Sequence, residues 1–106
     1  MYVDTHCHLY HKQFDTDREE MVRRALDAGV GRMLLPNIDM ESVAPMHALA
    51  DAYPDACLPM MGLHPCSVGE YPVTDLGEVE RLLHTGQYHA VGEVGIDLHW
   101  DTTWIA

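Results

Sequence analysis

The sequence predicts an α/β fold of about four parallel strands alternating with three helices. Short apolar runs alternate along the chain with segments of helical period, and each helical segment is ten or more residues long. That length suits a crossover between parallel strands, since an antiparallel hairpin needs only a short turn. Size bounds the rest: 106 residues suffice for one small domain, whereas a complete eight-stranded α/β barrel needs roughly 250. Four strands do not close around a packed interior, so the pattern describes a small open sheet or the first half of something larger.

The elements follow in order. The first strand runs from Met1 to Thr5. The first helix, Thr16 to Ala28, carries Met21, Val22, Ala25 and Ala28 at spacings of three and four, with Thr16-x-x-Glu19 as a capping box and Gly29 as a stop. A second strand covers Arg32 to Pro36. The second helix, Ser42 to Tyr53, aligns Val43, Met46, Ala50 and Tyr53 on one face; starting it at Ser42 puts Pro45 in the first turn, where a missing N–H has no partner to lose. Cys57 to Leu63 forms the third strand. The third helix, Asp75 to His84, presents Leu76, Val79, Leu82 and Leu83, with Asp75-x-x-Glu78 at its start and Gly86 beyond its end. His89 to Val94 is the fourth strand. Met33, Met40, Met46, Met60 and Met61 read as core filling.

Composition narrows the function classes. Six Lys plus Arg against seventeen Asp plus Glu leave a net charge of -11, so no broad basic face is available to hold nucleic acid phosphates by charge alone. An anionic substrate would need metal ions to offset that field. The same acidity also suits an ordinary soluble surface. Cys7, Cys57 and Cys66 are an odd number without CxxC spacing, which argues against a disulfide framework and a thiolate zinc site and favours a reducing compartment. No apolar run approaches the roughly 18 residues of a membrane helix, and the N-terminus does not read as a leader, so a cytoplasmic protein with no membrane partner is expected.

Eight histidines in so short a chain are the compositional oddity. His6-Cys7-His8 directly follows the first strand, and alternation along extended backbone sends His6 and His8 to one side and Cys7 to the other. Two imidazoles at that spacing can share a metal ion; a His near a strand end is also commonly just a hydrogen-bonded structural residue. Position favours the ligand reading, because sites in parallel α/β sheets lie beyond the carboxyl ends of strands. Glu93, within Gly92-Glu93-Val94-Gly95, occupies the equivalent place on the fourth strand. A carboxylate among apolar residues is costly unless paired with a cation, and the flanking glycines would let an ion or ligand approach. The bland alternative ends the strand at Gly92 and leaves Glu93 solvated. His64, in Gly62-Leu63-His64-Pro65, ends the third strand in the same manner. Strands one, three and four thus converge on one rim, while His11, His47, His84, His89 and His99 read as surface or boundary residues.

In these motifs the chain resembles the TatD-type metal-dependent deoxyribonucleases, within the amidohydrolase-like group of barrel hydrolases. The resemblance rests on Asp4-Thr5-His6-Cys7-His8-Leu9, Phe14-Asp15-x-Asp17-Arg18, Gly62-Leu63-His64-Pro65 and Gly92-Glu93-Val94-Gly95-Ile96-Asp97, four motifs in register across essentially the whole sequence. It implies the first half of a TIM-type (β/α)8 barrel, with residues 1–106 as a single N-terminal half-barrel. It further implies two divalent ions at the C-terminal rim and hydrolysis of DNA phosphodiesters. By that resemblance His6 and His8 bind one ion, Glu93 bridges both and is the catalytic carboxylate, and His64, Asp97 and Asp4 contact substrate or support the ligands from behind. Zn, Mn and Mg all suit imidazole plus carboxylate. Leu98 stands where the family usually has an aromatic residue.

The family's further ligands, two histidines and an aspartate from later strands, have no counterpart in these residues. The isolated chain is therefore expected to be weak or inactive, with DNA the substrate of the complete enzyme. Its first and fourth strands would be open edges, and Leu35 and Met60, facing the unclosed interior, would meet water. A homodimer paired through those edges would be the remedy. Two other readings stand beside the nuclease: a noncatalytic, metal-binding, self-associating module, and an amidohydrolase-like enzyme acting on an amide, lactone or phosphotriester. A Glu on the fourth strand, where many of those enzymes use a lysine, points to the nuclease branch.

Overall fold

The computed structural model describes residues 1–68 and 72–100. Strands β1 (Tyr2–Asp4), β2 (Val30–Leu35), β3 (Cys57–Met61) and β4 (Ala90–Val91) alternate with helices α1 (Arg18–Asp27), α2 (Val43–Ala52) and α3 (Pro72–Leu83). All neighbouring strands pair in parallel in the spatial order β1-β2-β3-β4. Sequential order with a helix in each crossover is half of a barrel wall, as the pattern of periods predicts.

The core lies between the sheet and its helices. Val22 of α1, Met46 and Leu49 of α2 and Val79 of α3 pack with Met33, Leu35, Cys57 and Met61. Each such side chain contributes about 1.5–3 kcal/mol when withdrawn from water. Alternation along β2 buries Met33 and Leu35 and exposes Arg32. Leu35 therefore does not meet water as expected: it is fully buried among the helices, and Met60 is partly buried. For Leu35 the error is one of parity, since a one-residue change of phase exchanges the faces of a strand; Met60 keeps the expected face, alternating with buried Pro59 and Met61.

Helix starts differ from expectation in instructive ways. The Thr16 capping box does not form; α1 begins at Arg18, with Asp17 at its N-cap making no side-chain cap. A tertiary tie explains it. Residues 12–14 form a 3-10 turn, Asp17 N–H continues it to Phe14 O, and Arg18 directs its guanidinium to Leu9 O (2.7 Å), Tyr10 O (3.1 Å), His11 O (2.8 Å) and the Asp15 carboxylate (2.6 Å). α2 follows Ser42 with Pro45 in its first turn, as predicted. α3 opens three residues early, on Pro72, a residue preorganised for the first helical position. Gly29 and Gly86, just past the ends of α1 and α3, take φ of 93° and 76°, the left-handed geometry that ends helices without a Cβ penalty.

The three cysteines are free thiols. Burial pushes the Cys57 thiol up to about 11, so at pH 8 only about one molecule in a thousand carries the reactive thiolate. A thiol reagent at that pH is expected to modify exposed Cys66 in the native protein and Cys57 only on unfolding, as peptide mapping after timed labelling would report. Equal labelling rates at the two positions would contradict the packing described.

Candidate metal centre

Beyond β1 the backbone bends at Thr5 and His6 but still meets β2, where Cys7 N–H donates to Leu34 O at 3.0 Å. Alternation then works as the sequence predicts: Cys7 packs on the core, and His6 and His8 face each other with Nε2 atoms 3.0 Å apart. Asp4 serves the turn between strand and ligands, its Oδ1 accepting His6 N–H at 3.0 Å. The His8 ring continues inward, Nδ1 meeting the Tyr10 hydroxyl at 2.9 Å, and that hydroxyl donates to Pro36 O at 2.5 Å.

β4 is shorter than expected and stops at Val91. Gly92 N–H still donates to Met61 O (2.9 Å), but the next pairing leaves β3 altogether: Asn37 N–H donates to Gly92 O (3.1 Å) and Glu93 N–H to Asn37 O (3.0 Å). The chain ending β4 thus crosses the end of β3 to reach the end of β2. Gly62 makes the crossing feasible. A Cβ there would stand 2.5 Å from Glu93 O, 2.7 Å from Gly92 C and 2.9 Å from Glu93 N. A Cβ at Gly92 would meet the flexible end of Met60 at 2.5 Å, and one at Gly95 would meet Pro65 at 3.3 Å. Gly62→Ala is expected to cost about 1–3 kcal/mol, the range for overpacking a fixed neighbour, and to displace Glu93. Urea unfolding checks the first; wild-type stability would mean the crossing has slack.

The crossover delivers the Glu93 carboxylate to the histidines. Its Oε2 lies 3.2 Å from His6 Nε2 and 3.4 Å from His8 Nε2, while Oε1 lies 3.2 Å from His64 Nε2. Oε2 is buried and accepts no hydrogen bond, despite the nearness of two ring nitrogens. Proximity without a hydrogen in line is the arrangement of atoms that converge on a common point. Among the described residues, His6, His8 and Glu93 form the one group whose ligand atoms lie within 4.8 Å of one another. Ligands held at 2.0–2.1 Å in a tetrahedron stand about 3.3 Å apart, and these three separations bracket that value. The residues fit a divalent ion. Burial first, and then neighbouring His6, push the His8 imidazole below its usual range, with Glu93 opposing; the neutral ring, the form that ligates, is favoured.

The residues expected in supporting places lie around the three-residue group and not within it. His64 Nδ1 accepts Cys66 N–H at 2.9 Å, so its hydrogen sits on Nε2, which lies 3.2 Å from Glu93 Oε1. His64 steadies the carboxylate and is outside the three-residue group. Asp97 Oδ1 accepts the backbone N–H groups of His99 and Trp100, both at 2.9 Å; it is likewise outside the group.

A family model described as TatD related DNase matches residues 3–104. The chain belongs to the TatD family. It is 34% identical over 102 residues to the metal-dependent hydrolase YjjV of Escherichia coli, covering 94% of this chain and 39% of that one. Similarity to the metal-dependent hydrolase YabD of Bacillus subtilis is 33% over 101 residues, 95% of this chain and 39% of the relative. The 3'-5' ssDNA/RNA exonuclease TatD of Erwinia tasmaniensis is 31% identical over 96 residues, 91% of this chain and 37% of that protein. The crystal structure of the Escherichia coli TatD homologue YjjV superposes with a TM-score of 0.82 at 34% identity, over 94% of this chain and 39% of the other. The chain thus spans about two fifths of the length of the curated relatives it matches.

Within this TatD half-barrel, two residues that organise the site escaped the sequence reading. Asn37 is fully buried. Besides its two backbone bonds to residues 92 and 93, its Nδ2 donates to Asp39 O (2.9 Å) and Gly62 O (3.0 Å), and its Oδ1 accepts from Ser42 Oγ (2.6 Å). Tyr10 is the other, nearly as buried. A signal for Asn37 was present: strands one, three and four were recognised by a polar residue at the strand end, and Pro36-Asn37 ends strand two in the same way.

Proposed function

We propose that His6, His8 and Glu93 hold a divalent metal ion in a hydrolase that cleaves phosphodiester bonds of nucleic acid, DNA foremost. The observation that carries this reading is the Glu93 Oε2 atom, buried, without a hydrogen bond and flanked by two imidazole nitrogens. A buried carboxylate oxygen in that state is costly unless a cation completes it. The bound ion supplies Lewis acidity, polarising a phosphoryl oxygen and lowering the pKa of a water molecule. His64 Nε2 stands 3.2 Å from the other oxygen, Oε1, and a second ion, where one is bound, would find its carboxylate ligand there. The nucleic acid substrate is supported by the family and by relatives named as ssDNA/RNA exonucleases. An ion also answers the charge problem, since a chain of net charge -11 repels phosphates.

Calorimetric titration with Zn²⁺ or Mn²⁺, alongside hydrolysis of labelled single-stranded oligonucleotides, tests the proposal. One ion per chain is expected, lost in His6→Ala and Glu93→Ala, with little or no turnover by the 106 residues alone because a two-ion site needs ligands beyond these three. Metal binding that survives in both variants would sink the assignment. For the isolated chain, edge-to-edge association of two copies is a second reading. Every residue of β1 and β4 is exposed, including Tyr2, Val3 and Val91, and among the described residues each of these end strands has one unpaired edge. A monomer by light scattering at all concentrations would end it. No helix among the described residues is long and apolar enough to cross a membrane.

A further inference from the structure

The geometry points to Tyr10 as a positioning residue that holds His8 in the Nδ1–H tautomer, so that Nε2 turns a free lone pair toward Glu93 and His6. This deepens the metal-site reading, and it follows from a chain of donors and acceptors with a single solution. The backbone carbonyl of Pro36 can only accept. It stands 2.5 Å from the Tyr10 hydroxyl oxygen, and two oxygens at that separation repel unless a hydrogen lies between them. The Tyr10 hydrogen is therefore on the Pro36 side. Having donated its one hydrogen, the hydroxyl meets His8 Nδ1 at 2.9 Å as an acceptor, and Nδ1 must carry the proton. A neutral imidazole protonated on Nδ1 has its lone pair on Nε2, the atom 3.0 Å from His6 Nε2 and 3.4 Å from Glu93 Oε2.

Tyr10 is suited to this work. Its ring is in the core cluster and only 2% exposed, so packing fixes the hydroxyl and water does not compete for it. Through the hydroxyl, the end of β2 anchors both flanks of the site: Pro36 acts on His8 through Tyr10, and Asn37 acts on Glu93 through the backbone crossover. An outer hydrogen bond to the second ring nitrogen is the general means by which a ligating imidazole is oriented, and losing one typically lowers metal affinity 10–100-fold.

The test needs no turnover. Long-range ¹H–¹⁵N correlation spectra of the metal-free protein report which His8 nitrogen is protonated, and the Nδ1–H form is expected in the wild type. Tyr10→Phe, which removes only the hydroxyl, is expected to release His8 into a tautomer mixture and to weaken Zn²⁺ binding roughly 10–100-fold. A wild-type His8 protonated on Nε2 overturns the inference without recourse to any variant. So does a folded Tyr10→Phe protein whose tautomer is unchanged, or whose tautomer shifts with no loss of affinity. If the wild type binds no Zn²⁺, the metal reading falls by itself, and the tautomer spectra alone decide the role of Tyr10.

Discussion

Glu93→Gln is expected to abolish metal binding while leaving the metal-free fold as stable as the wild type or more so. The substitution keeps the shape of the side chain and removes its charge. Zinc and its neighbours bind anionic or strongly basic ligands, and an amide is a poor replacement; affinity is expected to fall by at least about a hundredfold, beyond the 10–100-fold typical of losing an outer hydrogen bond. In the metal-free protein the sign reverses. Glu93 Oε2 is a buried acceptor without a hydrogen, and an amide NH₂ at that place would donate toward the lone pair of His8 Nε2. Relieving an orphaned acceptor is worth about 1 kcal/mol. Calorimetry for the ion and thermal unfolding in chelator read the two effects separately. Unchanged affinity would remove Glu93 from the ligand set; a large drop in metal-free stability would mean the carboxylate is structural.

Asn37→Ala is expected to give the largest loss of stability among the polar residues of the site. Three side-chain hydrogen bonds vanish together, to Asp39 O, Gly62 O and Ser42 Oγ. Each stranded buried partner costs about 1–3 kcal/mol, reduced where the loop can turn a group to water. A total of about 3 kcal/mol follows, a fall of roughly 10–20 °C in Tm for a domain of this size. The loss reaches the metal centre because the same residue carries the backbone pairing to Gly92 and Glu93. Asn37→Asp is not a rescue: it retains an acceptor for Ser42 but sets a carboxylate oxygen against two carbonyls. Urea denaturation with both variants decides it, and a cost below about 1 kcal/mol would show that the carbonyls of residues 39 and 62 find other donors.

What was legible in the sequence was local or periodic. The alternation of short apolar runs with helical segments gave four strands and three helices, because each period records which face of an element is buried. His6 and His8 were legible as a pair because extended backbone sends positions i and i+2 to one side whatever surrounds them. Glu93 and His64 were found by their place at strand ends. The parity of Leu35 was not legible, since a run such as Arg32-Met-Leu-Leu-Pro36 offers apolar residues in both phases and only the docked helices choose between them. Nor was the failure of the Thr16 cap, which yields to an Arg18 side chain drawn off to three carbonyls of the preceding loop.

By itself, then, the sequence determined the parallel α/β class and the side chains that gather at the rim, because period and local spacing survive without knowledge of long-range contacts, and its four motifs carried the resemblance to the family. Tertiary structure decided how those side chains are held. The pairing of Asn37 with residues 92 and 93 spans more than fifty positions, and the Pro36–Tyr10–His8 relay spans 26 between its first two members. Hydrogen bonds of that reach leave no periodic trace, since they depend on which strand ends the folded sheet brings side by side.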